Sequence, residues 1–169
     1  MKQVAPKLWV GADADFKELD TFGTEWAVVH AAKYPYHREF VGYNGPSAPS
    51  GPEYYFAQRG KRIALNLIDA PDPKYVNRVL VDRALAFIDT QLALCSGPDQ
   101  LLLHCNQGQS RAPTLALLWL APGLSENFEE AELSFAEVYP GYKPGTGMRA
   151  FAKMHWRHYR TRKSVQPSQ

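Results

Sequence analysis

Apolar residues arrive in short blocks separated by turn formers, and the spacing inside each block distinguishes strands from helices. Lys7 to Gly11 (Lys-Leu-Trp-Val-Gly) predicts a short first strand ending at a glycine turn. Trp26 to His30 is a second apolar run and predicts a buried strand. Arg62 to Ile68 predicts a third, halted by Asp69-Ala70-Pro71-Asp72-Pro73, where two prolines forbid continuation. From Lys74 to Leu94 the period lengthens: Val76, Leu80, Ala84, Phe87, Ile88 and Leu92 share one helical face, and Ser96-Gly97-Pro98 ends it. Leu101-Leu102-Leu103 is short and wholly apolar, the pattern of a strand buried on both faces at the centre of a sheet.

Beyond position 111 the chain reads as mostly helical. Ala112 to Ala121 is apolar almost throughout and predicts a buried helix. Asn127 with Glu130 resembles a capping box for a helix that turns Phe128, Ala131, Phe135 and Val138 inward. Pro140-Gly141-Tyr142-Lys143-Pro144 breaks it, and a last helix sets Met148, Phe151, Ala152, His155 and Tyr159 on one core-facing stripe. Early strands and late helices imply an α/β fold, with a central, mostly parallel sheet flanked by helices. There is no internal repeat. Residues 34–60 stand apart, with four Pro, four Gly and five Tyr, and predict an ordered but irregular loop or hairpin region. The chain is read as one domain over residues 1–163 followed by a short tail, 164–169.

Composition narrows the class. With 45% hydrophobic and 21% charged residues, the chain is neither disordered nor membrane-embedded. No run approaches the roughly 18 apolar residues that span a bilayer, and Met1 to Pro6 lacks the apolar centre of a secretory signal, so a cytoplasmic location is expected. The net charge of +2 is uneven: Arg149 to Lys163 holds six Lys/Arg and no acid, against 13 Lys/Arg and 17 Asp/Glu before it. Such a stretch reads first as a solvated helix face, and no nucleic-acid partner is expected. The two cysteines, Cys95 and Cys105, make no disulfide framework. None of the five histidines pairs at zinc-ligand spacing, so neither a metal nor a cofactor is expected.

The chemistry concentrates in Leu103-His104-Cys105-Asn106-Gln107-Gly108-Gln109-Ser110-Arg111-Ala112-Pro113. A buried strand delivers a cysteine, five residues form a loop, an arginine follows, and a helix opens with proline in its first turn. A thiol attacks phosphorus as the thiolate, which the positive end of a helix beneath it favours. Residues Asn106, Gln107, Gly108, Gln109 and Ser110 can curl with their N–H groups inward, forming with Arg111 a nest for a phosphoryl group. Gly108 supplies the backbone freedom such a curl needs. Arg111 adds a planar fork of donors for two equatorial oxygens, and Pro113 lacks only an N–H that a helix start leaves unpaired anyway.

This His-Cys-x-x-Gly-x-Ser-Arg spelling resembles the signature of the protein tyrosine phosphatase superfamily, and most closely its dual-specificity branch. The resemblance extends to Leu8-Trp9-Val10-Gly11 as the opening strand, Arg62–Asp69 as the acid-bearing strand and loop, and the Ala84–Leu92 helix, covering roughly residues 7–160 in outline. It implies the cysteine phosphatase fold and hydrolysis of phosphomonoesters, phosphotyrosine or phosphoserine/phosphothreonine, through a phosphocysteine intermediate. Cys105 would be the nucleophile, Arg111 the phosphate clamp, and Asp69 the general acid, with Asp72 as the alternative. Either aspartate equally suits a turn before the following helix. His104 would orient the loop, Ser110 would stabilise it, and Cys95 would be inert. One position departs from the family: Ala112 stands where a Ser or Thr usually helps the thiolate leave, and Thr114 lies two residues further on. The uncharged loop argues for a singly phosphorylated ester on a phosphoprotein or phosphopeptide. The Tyr-rich stretch 34–60, with His37, Arg38 and Arg59, either rims the substrate or packs a long loop against the body. Two rival readings remain open: a weakly active phosphatase-like domain that binds phosphoproteins, and a rhodanese-like sulfurtransferase.

Overall fold

Five consecutive buried residues, Leu101–Cys105, form the strand around which the sheet is built. The computed structural model describes residues 1–22, 25–94 and 100–162; Cys95, the Ser96-Gly97-Pro98 turn and the tail 164–169 lie outside them. Among the described residues the strands are β1 (Lys2–Ala5), β2 (Leu8–Ala12), β3 (Ala27–His30), β4 (Phe56–Arg59), β5 (Arg62–Leu65) and β6 (Leu101–Cys105). They lie in the order β1-β2-β6-β3-β5-β4. The four central strands are parallel, and β1 and β4 close the edges in antiparallel pairing. The expected mostly parallel sheet is what the chain forms.

Strand alternation then sorts the side chains. Leu8, Val10, Val29, Ile63, Leu101 and Leu103 face one layer, while Val28, Ala64 and Leu102 face the other with Trp9. Over the second face lie α1 (Asp13–Thr21) and the segment through Tyr36 to α2 (Arg38–Val41). The first face carries α3 (Arg78–Leu94), α4 (Arg111–Leu120), α5 (Phe128–Val138), α6 (Thr146–Met154) and α7 (Trp156–Arg160). Burying each large aliphatic side chain here contributes about 1.5–3 kcal/mol.

Several boundaries differ from the sequence expectation for physical reasons. The third strand leaves the sheet at Leu65, because the Asn66 N–H and side-chain amide turn to the carbonyls of Tyr55 and Tyr54. Residues 34–60 are not all irregular: they contain α2 and β4, which pairs with β5 across a turn at Gly60, where φ is 56°. The helix expected from Lys74 begins at Arg78. Asp72 instead caps a 3-10 turn, Pro73–Tyr75, and the Asn77 side chain accepts the Val79 N–H. The capping box is closed indirectly: Asn127 accepts the Glu130 N–H, but the Glu130 carboxylate holds Ser125, whose hydroxyl takes the Asn127 N–H. Val138 is exposed at the end of α5, and the last stripe breaks at His155 between α6 and α7.

The basic C-terminal stretch has acidic partners. Arg149 makes a two-pronged bond to Glu132, Lys153 pairs with Glu129, Arg160 with Glu126 at 3.3 Å, and Arg162 with Asp89 at 2.5 Å. These cations staple α6 and α7 to α5 and α3, each exposed pair adding at most about 1 kcal/mol. Among the described residues no helix is long and apolar enough to cross a membrane.

Candidate active site

Cys105 ends β6 with 2% of its surface exposed, and α4 starts six residues later at Arg111. The loop between them is clamped to its surroundings from several sides. The Asn106 side chain donates to the Tyr34 carbonyl at 3.0 Å, and its own carbonyl accepts the Asp13 N–H at 3.3 Å. The Gly108 carbonyl accepts the Tyr139 hydroxyl at 2.8 Å, and the Gln109 carbonyl accepts the Lys143 N–H at 2.9 Å. Ser110 donates its hydroxyl to Asp69 at 3.0 Å and accepts the Gly145 N–H at 2.9 Å. Carbonyls and side chains hold the loop in place, while no backbone N–H from Gln107 to Arg111 donates to a described residue. That division is what an anion nest requires.

Gly108 is needed twice over. Its φ is +67°, in the left-handed region, and a Cβ added there would stand 2.9 Å from the backbone carbonyl of Gly11. The loop therefore folds back onto the end of β2, whose Ala12 is in register with Cys105.

Arg111 directs one terminal nitrogen to the Leu67 carbonyl at 3.3 Å and the other to the Asn106 side chain at 2.6 Å. Its Nε is buried without a hydrogen-bond partner among the described residues. A buried guanidinium N–H beside free backbone donors suits a tetrahedral oxyanion.

The two candidate acids separate. Asp69 reaches the loop through Ser110, and the start of α6 packs on the same segment, with Thr146 donating to the Pro71 carbonyl at 3.0 Å. Asp72 caps its turn by accepting the Lys74 N–H, a bond that, with the Lys74 ammonium, holds its carboxyl below the usual carboxylate range. A carboxyl so held is a poor proton donor near neutrality. Ala112 is fully buried at the start of α4, and Thr114 is equally buried, beside Tyr142.

Of the polar residues of segment 34–60, none points charge at the loop. His37 is buried between the Tyr43 hydroxyl and the Glu53 carbonyl, Arg38 donates to the carbonyls of Tyr43 and Asn44, and Arg59 pairs with Glu53. These contacts match the packing alternative. Sequence reasoning missed Tyr139, whose hydroxyl braces the loop; burial, and then the charge of Cys105, push its pKa up to about 12, so it stays a neutral donor. It also missed the partner of His104: the two imidazoles of His104 and His30 meet at 2.6 Å in the sheet.

A mostly parallel six-stranded sheet between two layers of helices is the fold that the chain shares with solved phosphatases. Among solved structures the chain is similar to DUSP15, with a TM-score of 0.65 at 16% identity over 98% of each chain. It is also similar to the human tyrosine phosphatase-like serine/threonine/tyrosine-interacting protein (TM-score 0.60, 16% identity, 94% of this chain and 97% of that one). Human DUSP28 gives a TM-score of 0.59 at 19% identity over 95% of each chain. No family model matches the sequence.

Proposed function

We propose that the chain is a cysteine-dependent phosphatase acting on singly phosphorylated proteins or peptides, with residues 1–163 as its one domain and the cytoplasm as its setting. The observation that carries this reading is the nest from Gln107 to Arg111, its N–H groups undonated, closed behind Cys105 and tied through Ser110 to Asp69. In the first step the Cys105 sulfur attacks phosphorus, the ester P–O bond breaks, and Asp69 delivers a proton to the departing oxygen. Arg111 and the loop N–H groups hold the equatorial oxygens as charge gathers on them. In the second step water attacks the phosphocysteine, Asp69 takes its proton, and the thiolate leaves. A sulfurtransferase has no use for an acid held against the loop in this way.

A peptide substrate is supported by the ground beside the site. A groove of about 180 Å³ runs next to the acid loop, and Tyr54, Tyr55, Ile68 and Tyr75 line it. The pairing of the basic helices with Glu126, Glu129, Glu132 and Asp89 removes the reason to invoke nucleic acid. Steady turnover of para-nitrophenyl phosphate in EDTA, with a phosphoryl group trapped on Cys105 by rapid quench, is the expected result. Turnover with no such adduct would refute the mechanism.

Asp69→Asn is expected to lower kcat/KM, which reports the first step, about 100-fold on phosphoserine peptides, since an alkoxide needs its proton, and to matter less for the better nitrophenolate leaving group. Asp72→Asn should leave both rates near wild type; the reverse ranking would reassign the acid. Ala112 bears on the second step. Without a hydroxyl at this position, phosphoenzyme breakdown should limit turnover and give a burst of released alcohol in stopped flow. Ala112→Ser is expected to shrink the burst and raise the steady rate, and a wild type without a burst argues against this role. Ala112 is also the feature that favours the second reading, a slow phosphatase whose main task is to hold a phosphoprotein.

A further inference from the structure

His30 and His104 are in register on adjacent parallel strands, so both rings project from the same face of the sheet. His30 is 1% exposed and His104 0%, and Nδ1 of the first lies 2.6 Å from Nε2 of the second. Rings enclose them: Phe16 stacks on His104 at 4.8 Å, Tyr36 stacks on His30 at 4.4 Å, and Phe40 meets His30 edge-on at 5.5 Å. Burial pushes the His104 pKa down to about 4 and that of His30 lower still, so both rings are neutral at pH 7. A contact this short between neutral imidazoles holds one proton, and one ring donates while the other accepts.

Two arrangements fit the contact. In one, His30 Nδ1–H donates to His104 Nε2 and the second proton sits on His104 Nδ1; in the other, His104 Nε2–H donates and the second proton sits on His30 Nε2. In either arrangement the two rings carry the same tautomer, and both outer nitrogens are buried without a hydrogen-bond partner among the described residues.

We propose that His30 is a positioning residue for the reaction: it shares one proton with His104 across this contact, fixing the tautomer and tilt of the ring that precedes Cys105. This rests on the phosphatase reading, but its first test does not. In wild-type protein labelled with ¹⁵N, long-range imidazole correlations should show His30 and His104 each in one tautomer, the same for both rings. Opposite tautomers, or a His104 ring averaged between the two, overturn the proposal whether or not the protein turns over substrate.

The second test separates proton sharing from packing. His30→Phe fills the aromatic enclosure but can neither donate nor accept; kcat should fall about tenfold or more, as small misplacements of reacting groups do, with KM little changed and the His104 tautomer lost. His30→Gln can donate or accept through its amide and should keep kcat within about threefold and preserve the His104 tautomer. If the Gln variant falls as far as the Phe variant, or the Phe variant keeps full kcat, His30 is packing alone. Should His30→Phe fail to fold, the wild-type tautomer and the Gln variant still decide the matter.

Discussion

Cys105→Ser is expected to lower turnover of para-nitrophenyl phosphate by at least ~10³-fold, on the scale at which removing a nucleophile silences an enzyme. The side chains differ by one atom, and Cys105 is only 2% exposed, so packing should change little. What is lost is the nucleophile, because an alcohol is not ionised near neutral pH. The nest and Arg111 are untouched, so the variant should bind a phosphopeptide with an affinity close to that of the wild type, measurable by calorimetry. Unchanged stability and binding with no turnover is the combination expected. Persisting turnover would place the reaction on another group.

The second large effect is structural. Gly108→Ala forces a side chain into a left-handed conformation, at a cost of about 1–2 kcal/mol, and drives its Cβ to 2.9 Å from the Gly11 carbonyl carbon and oxygen. Both groups are backbone, and Gly11 is held in β2 by pairing with β6, so neither gives way cheaply. Overpacking of this sort adds about 1–3 kcal/mol. Together they should lower the melting temperature by roughly 5–15 °C and abolish phosphate binding, since the loop must uncurl to admit the methyl group. A variant that melts with the wild type and binds phosphate would show that the curl is not required.

The site was legible in the sequence to the extent that it is local. Strand, five-residue loop, arginine and helix follow one another without interruption from Leu101 to Leu120, and each residue type has a job readable at that spacing. The contact that favours Asp69 over Asp72 was not legible, because it is made by a hydroxyl 41 residues away, that of Ser110. Tyr139 falls between the helical pattern and the Pro140–Pro144 break and belongs to neither, yet that break is what lets residues 139–145 reach the loop. α1 escaped notice since it buries one residue, Phe16, too few for a periodic pattern to register. β1 is largely exposed and shows no alternation. The pairing of the basic stretch from Arg149 to Arg160 was legible in part: Glu126, Glu129 and Glu132 are spaced like one helix turn each, a ready match for Arg160, Lys153 and Arg149.

The position of β6 has a consequence for how the molecule is made. Leu101 pairs with Leu8 on one side and Ala27 on the other, so the strand enters a slot between two partners synthesised far earlier. Until it arrives, β2 and β3 have apolar edges with nothing between them, the kind of surface that invites wrong association. Contacts this distant in sequence form slowly. The same insertion that completes the sheet brings Cys105 to its place, so in a nascent chain the proposed nucleophile is not positioned until the sheet is whole.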